Sequence, residues 1–249
     1  MISGELSRYL NELLRVDEFQ DYCSNGLEFD GRTEVKRVAL AVDACAAVFR
    51  EAVNLNSDII IVHHGLFWGD IKTIRGNLKE RLKLLFDSNI SLYAAHLPLD
   101  AHPELGNNAQ IMKLLKIKIK GGAGKYKGIP LGFWGELEHE EPLKKFTAKV
   151  EDKLFTKCRL LDFGGRVKKV AVLSGSGWQA LYEAEETGFD TLITGEASHS
   201  AYTLAEELGV NIIFAGHYAT ERHGVKALGE HIKRKFGFEV KFIEHSTGI

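Results

Sequence analysis

The segment DIIIVHHG, Asp58–Gly65, contains a run that is apolar on both faces of a strand and ends in two adjacent histidines. A strand with both faces hidden needs cover on each side, and in α/β proteins helices supply it. Similar runs recur at Val38–Val42, Ser91–Ala95, Leu131–Leu137, Val170–Leu173, Thr191–Thr194, Asn211–Ala215 and Glu239–Ile243. Between them lie stretches with apolar residues at helical spacing: Ser3–Leu14, Ala44–Leu55, Lys79–Ser88, Asn107–Leu115, Pro142–Phe155, Trp178–Thr187, Ser200–Leu208 and Ala219–Lys235. The alternation predicts an α/β fold with sheets layered between helices.

The rhythm repeats. Val35–Ala39 (VKRVA) reads against Val167–Ala171 (VKKVA) at a shift of 132 residues, and the same shift pairs Asp58 with Asp190 and Ile61 with Ile193. Further on, Ala95–Asp100 (AHLPLD) reads against Gly216–Glu221 (GHYATE), so each half has a strand ending in His-x-x-x-carboxylate. These matches predict an internal duplication into two similar three-layer lobes. The Gly-rich GGAGKYKG from Gly121 is expected to link them, giving lobes of residues 1–124 and 125–249, with the C-terminal segment able to pack on the first.

A chain of 249 residues has room for one large domain or two modest ones. Lys+Arg (32) and Asp+Glu (34) nearly cancel, so bulk charge selects neither nucleic acid nor a membrane surface. Basic clusters within 113–127 and 226–235 leave a local nucleic-acid contact open. No apolar run is long enough to span a bilayer, and MISGELSRYLNELLRV has no signal-peptide core. Cys23, Cys45 and Cys158 are odd in number, lack a CxxC pair and read as reduced thiols. The expected compartment is the cytoplasm.

The chemistry gathers at strand ends, where ligands of open α/β sheets bind. His63 and His64 end one strand, His96 and Asp100 follow a second, and His217 and Glu221 follow a third. Four-residue spacing puts imidazole and carboxylate on one face of a helix. Such donors without a nearby thiolate suit Zn²⁺, Mn²⁺ or Fe²⁺. Taken singly, each pair reads equally well as a solvated turn or a helix N-terminus, where a carboxylate is favoured anyway. Recurrence at three strand ends favours metal binding. Glu196 and His199 follow another strand and are candidates for substrate contact, or else for helix capping and a surface histidine. Ser174–Gly177 (SGSG) joins a strand to a helix as an anion cradle or a plain turn. Phe67 and Trp68 are expected to pack rather than to stack on a substrate.

The segments SNGLEFDG, VALAVDA, DIIIVHHGLFW, AAHLPLDAHPELGNN, DTLITGEASH and NIIFAGHYATE, in this order, resemble the Nif-three-like (NGG-one-interacting factor three-like) family. Many of its bacterial members are labelled type-two GTP cyclohydrolase-like. The resemblance covers almost the whole chain, and HHGLFW and GHYATE are its most specific parts. It implies a two-lobed α/β protomer, a dinuclear metal centre in the cleft between the lobes, and a ring-shaped homohexamer. Carried over onto matching positions, the ligands of two divalent ions (Zn, Fe or Mn) fall on His63, His64, Asp100, His217 and Glu221, with Glu221 bridging. His96 is then a supporting residue or an extra ligand. Asn25 lies near the cleft mouth or is a simple turn residue. Longer members carry an inserted middle domain for which this chain has no room.

The resemblance implies a metal-dependent hydrolase that acts through a metal-bridging water on a nucleotide-like or phosphoester small molecule. No serine or cysteine nucleophile constellation competes with that reading. The alternative is a non-catalytic metal-binding ring serving as a platform for proteins or nucleic acid. Turnover abolished by chelator marks the first, and strongly salt-dependent nucleic-acid binding the second.

Overall fold

The computed structural model describes residues 1–70 and 73–249. In chain order the elements are α1 (Ser3–Leu14), β1 (Gly26–Phe29), β2 (Arg37–Asp43), α2 (Ala46–Asn54), β3 (Ile59–His64), α3 (Gly76–Ser88), β4 (Ser91–Ala94), α4 (Leu97–Ala101), α5 (Asn107–Leu114), β5 (Lys118–Tyr126) and β6 (Ile129–Pro142). They continue with α6 (Leu143–Leu154), β7 (Arg159–Leu161), β8 (Arg166–Leu173), α7 (Ala184–Thr187), β9 (Thr191–Thr194), α8 (His199–Leu208), β10 (Asn211–Phe214), α9 (His217–Phe236) and β11 (Glu239–Phe242). Two compact units form: residues 1–99 with 225–245, and residues 100–224 with 246–249. Among the described residues no helix is long and apolar enough to cross a membrane.

The sheet of the first unit runs β1-β4-β3-β2-β11, parallel except for β1. On one face Ile60 and Val62 of β3 pack with Val48 and Phe49 of α2 and Leu85 of α3. On the other face the Tyr93 hydroxyl donates to Asn11 Oδ1 of α1 at 2.9 Å, and Leu40 lies against Gly229 of α9. Both faces are covered, as an uninterrupted apolar strand requires.

The sheet of the second unit runs β5-β6-β8-β9-β10-β7, with β8, β9 and β10 parallel and the remaining pairs antiparallel. Val170 and Val172 of β8 join the cluster of Ile111, Met112, Phe146 and Val150 from α5 and α6. Ala171 and Leu173 point the other way, into a cluster with Ala201 and Ala205 of α8.

Each unit contains the same four-stranded arrangement. The runs β1-β4-β3-β2 and β7-β10-β9-β8 have the same order and the same directions, each after a helix, α1 or α6. The match reaches single hydrogen bonds. Asp58 Oδ2 accepts the N–H groups of Lys36 and Arg37 at 2.9 and 2.8 Å, and Asp190 Oδ2 accepts those of Lys168 and Lys169 at 2.9 and 2.8 Å. A carboxylate on two consecutive N–H groups is a strong, charge-assisted anchor that fixes a strand's start against its neighbour.

The Gly-rich segment from Gly121 is not a linker, because β5 runs through it and pairs with β6. Glycine serves close packing there, not flexibility: Gly121 faces Trp134, Gly122 faces Pro130, and a Cβ on Gly124, at φ +66°, would penetrate Leu173. The second unit accordingly begins at Asp100, and residues 100–124 lie in it rather than in the first. Gly124→Ala adds a left-handed strain and a clash, and should lower the unfolding free energy by about 2–3 kcal/mol. Urea titration checks this, and an unchanged midpoint would mean that β5 yields freely at that point. The expected helix Trp178–Thr187 also differs, starting as a 3₁₀ segment, Trp178–Glu183, before the single turn of α7.

Candidate metal centre

In the first unit β3 carries His63 and His64 to its carboxyl end, and the chain leaving β4 carries His96. Neighbouring strand residues point to opposite faces, yet at this strand end the two rings lie close together. The His63 and His64 rings are 4.7 Å apart, and they lie 5.1 and 5.5 Å from His96. Ligand nitrogens of all three lie within 4.8 Å of one another, a group able to hold a metal ion.

Each ring is oriented from behind. His63 Nδ1 donates to the Ala95 carbonyl at 2.9 Å, His64 Nδ1 to Asp43 at 2.8 Å, and His96 Nδ1 to both oxygens of Asp21 at 3.0 Å. A carbonyl and an ionised carboxylate only accept, so Nδ1 carries the proton and the Nε2 lone pair faces forward. Burial alone would raise the Asp21 carboxyl, but His96, Asn25 and the Cys23 N–H hold it down at about 2. The Asn25 amide donates to Asp21 at 2.9 Å, and its oxygen accepts the His96 N–H at 2.7 Å, so Asn25 supports His96. Trp68 Nε1 donates to the Gly65 carbonyl at 2.9 Å and its ring meets His96 edge-on at 5.0 Å, so Trp68 walls the histidine group.

The turn after His64 has its own anchor. Glu28 of β1 accepts the N–H groups of Leu66 and Phe67 at 2.7 and 3.0 Å, in space left by the missing side chain of Gly65. Among the described residues no cation pairs with it, and burial outweighs the two bonds and pushes its carboxyl up to about 7.

In the second unit His217 opens α9 and Glu221 lies one turn on. His217 Nδ1 meets Glu196 at 2.6 Å, and His217 Nε2 lies 2.8 Å from Glu221. Glu221 is 3% exposed. Gly175, at φ +59°, leaves the space that Glu221 and His217 fill. Asp100 is buried in α4, and its Oδ1 accepts Asn107 Nδ2 at 2.9 Å and Ser174 Oγ at 2.8 Å.

One softer expectation fails, and His199 takes the place its alternative reading gave it. The SGSG loop is no anion cradle, because three of its four N–H groups are spent: Ser174 on Asn108 at 2.7 Å, Gly175 on Thr220 at 3.1 Å, Gly177 on Thr194 at 2.9 Å. His199 is exposed at the start of α8 and joins no metal-ligating group among the described residues. Cysteine is absent from these groups as well, and burial pushes the Cys23 and Cys158 thiols up to about 12, which leaves them protonated and inert. Sequence reading missed Asp21, Asp43, Glu28 and Asn107, and it singled out Ser174 for its backbone where the structure uses its hydroxyl on Asp100. Only Asp43, polar at the end of the apolar β2, carried a readable signal.

The family profile described as Duf34/NIF3 (NGG1p interacting factor 3) matches residues 1–248. The chain belongs to this family. Curated DUF34/NIF3 relatives include a "GTP cyclohydrolase 1 type 2 homolog" of Pyrococcus abyssi, 45% identical over 247 residues that cover 98% of each chain. One of the same description from Archaeoglobus fulgidus is 44% identical over 247 residues, 99% of each. Among solved structures, protein ybgI, described as of unknown function, superposes with a TM-score of 0.94 at 39% identity over 100% of both chains. TTHA1606 of Thermus thermophilus gives 0.91 at 38% over 100% of both. Reduced HcgD of Methanocaldococcus jannaschii gives 0.85 at 25%, over 98% of both. The DUF34/NIF3 likeness thus spans both units.

Proposed function

We propose that this DUF34/NIF3 protein is a dinuclear divalent-metal protein whose ligands are His63, His64, Asp100, His217 and Glu221, and that it is a metal-dependent hydrolase. The observation that carries the reading is the common orientation of the imidazoles. Four histidines from three strand ends each have Nδ1 held by a fixed acceptor, the arrangement by which proteins aim Nε2 at a metal and raise its basicity. A histidine set between two carboxylates, as His217 is, suits a dication taken jointly by Nε2 and Glu221. The donor set is imidazole and carboxylate only, which fits Zn²⁺, Fe²⁺ or Mn²⁺.

A pair of such ions supplies Lewis acidity and a water that ionises near neutral pH, the means of hydrolysing a nucleotide-like or phosphoester substrate. The chain's own residues hold and orient. Asp43, Asp21 and Glu196 fix the rings of His64, His96 and His217, and Asn107 with Ser174 fixes Asp100. His96 serves beside the five as support or as a further ligand. The shared strand order and the paired Asp58 and Asp190 anchors support internal duplication as the origin of the two units.

Protein purified without chelator is expected to carry close to two divalent ions per chain by elemental analysis. His63→Ala and His217→Ala should each lower that figure. Stoichiometric metal unchanged in both variants would sink the assignment.

A further inference from the structure

Positive charge is segregated in the middle of the chain. From Leu105 to Gly135 there are six lysines, Lys113, Lys116, Lys118, Lys120, Lys125 and Lys127, and no Asp, Glu or Arg, in a chain whose charges otherwise nearly cancel. The second unit gathers all six along one sheet edge. Lys113 lies in the last turn of α5, Lys116 in the turn that leads to β5, Lys118, Lys120 and Lys125 on β5, and Lys127 in the turn after it. Every one of them is exposed. β5 is an outer strand of its sheet and nine residues long, so the row runs for about 30 Å.

The fold asks for few of these charges. Lysine on an unpaired edge blocks association with a further strand, but glutamate or proline does so as well. A cation suits the last turn of a helix, which accounts for Lys113. Neither reason reaches Lys116 or Lys127, and neither excludes acids from the whole stretch.

The acids packed against the row do not cancel it. α5 carries none. On β6, Glu136 stands opposite Lys118 and lies 3.6 Å from Lys120, and Glu138 lies 3.8 Å from His139. Further along, Glu140 pairs with Arg166, and Glu141 lies 3.8 and 3.7 Å from Lys145 and Lys149. In the 3₁₀ segment, Glu183 spends its two oxygens on the N–H groups of Gly124 and Lys125. Lys113, Lys116, Lys118 and Lys125 make no ion pair among the described residues.

Two tyrosines flank the far end of the row. Tyr126, between Lys125 and Lys127, is 40% exposed, with the Lys127 ammonium 5.2 Å from its ring centre. Tyr182 is 71% exposed and precedes the Glu183 that holds the Lys125 N–H. A single row of cations tracks one phosphate backbone, and exposed rings serve bases whose faces are not already hidden in a duplex.

We propose that the β5 edge binds single-stranded nucleic acid, the lysines following its phosphates and Tyr126 taking a base. This surface lies outside the metal reading and does not depend on it.

Fluorescence anisotropy on the chelator-treated full chain reads the binding apart from the metal. The labelled probes are an oligothymidylate of about twelve nucleotides, within the usual span of one such site, a DNA duplex of the same length, and polyglutamate. The single strand should bind, with log K falling against log salt at a slope of about −3, the value for roughly four phosphates neutralised on a single strand. Lys116→Gln with Lys118→Gln alters exposed side chains and should keep the native melt, flatten that slope by about 1.4 and weaken binding at low salt at least about tenfold. Tyr126→Ala should weaken binding about tenfold with the slope unchanged, and Tyr126→Phe should restore it. Lys233→Gln with Arg234→Gln removes the same charge from exposed positions of α9 and should change neither quantity. The proposal is overturned if the strand fails to bind at low salt, or if the β5 pair changes binding no more than the α9 pair. It is equally overturned if the duplex or polyglutamate binds as tightly as the single strand, which would make the row a contact for a duplex or an acidic protein instead.

Discussion

Glu221→Gln should empty at least one of the two proposed cation positions and, with a substrate in hand, lower turnover by roughly 100-fold or more, the loss seen when a site's charge-stabilising element is removed. The substitution keeps the shape of a side chain that is 3% exposed and set against His217 and Gly175, so the fold should survive. What it removes is the negative charge and one ligating oxygen, since an amide N–H₂ has no lone pair to give. Asp100→Asn is the informative contrast. Its Oδ1 already accepts from Asn107 and Ser174, so an asparagine can keep those bonds through its carbonyl, and only one position should empty. Anomalous scattering at the metal edge reads each position separately. Full occupancy of both in Glu221→Gln would end the bridging role and the hydrolytic scheme built on it.

A second large effect is expected at Glu28, and its sign is unusual for a carboxylate. The folded protein raises Glu28 from an ordinary 4.5 to about 7, mainly through burial. A raised acid binds its proton more tightly in the folded chain than in the unfolded one. Its contribution is therefore fully present below about pH 4.5, declines as pH rises, and is lost above about pH 7. A rise of that size corresponds to roughly 3 kcal/mol across that window. Glu28→Gln cannot titrate, so the stability difference between parent and variant, both chelator-treated, should move against the parent by about that amount from pH 4.5 to 7. Urea unfolding at stepped pH measures it. A difference that is flat with pH, or one that favours the parent as pH rises, would show the carboxylate to be ionised throughout.

The interior of both sheets was legible in the amino-acid pattern because central strands must be apolar on both faces. Ser3–Leu14 and Thr191–Thr194 were read to the residue, and β2, β3, β4, β8 and β10 to within a few residues at their ends. The strands that escaped, β1, β5 and β7, all lie at sheet edges. An edge strand has one neighbour and needs little apolar surface, and β5 hides its pairing behind glycines whose purpose is contact with Trp134, Pro130 and Leu173. The candidate site divides in the same way. Its histidines end apolar strands, which makes them visible in one dimension. Asp21 and Glu28 act on His96 and on the turn after His64 across long stretches of chain, and no local pattern records such pairings. The SGSG loop misled for a related reason, since the side chains that occupy three of its N–H groups come from Asn108, Thr194 and Thr220.

The paired anchors at Asp58 and Asp190 have a consequence for how this chemistry is free to vary. The strand registers that align Ile59 with Thr191 align His63-His64 with Gly195-Glu196. One frame thus ends its strand in two forward-facing imidazoles, and the other ends it in a glycine and a glutamate that steadies an imidazole from elsewhere. Shape is kept by residues at the amino ends of the strands, and reactivity by residues at the carboxyl ends, with an apolar run between them that answers to neither. Change can accumulate at the reactive end of one frame without disturbing the framework of either. A fold organised in this way offers two drafts of the same ligand position, only one of which has to stay fixed while the other is rewritten.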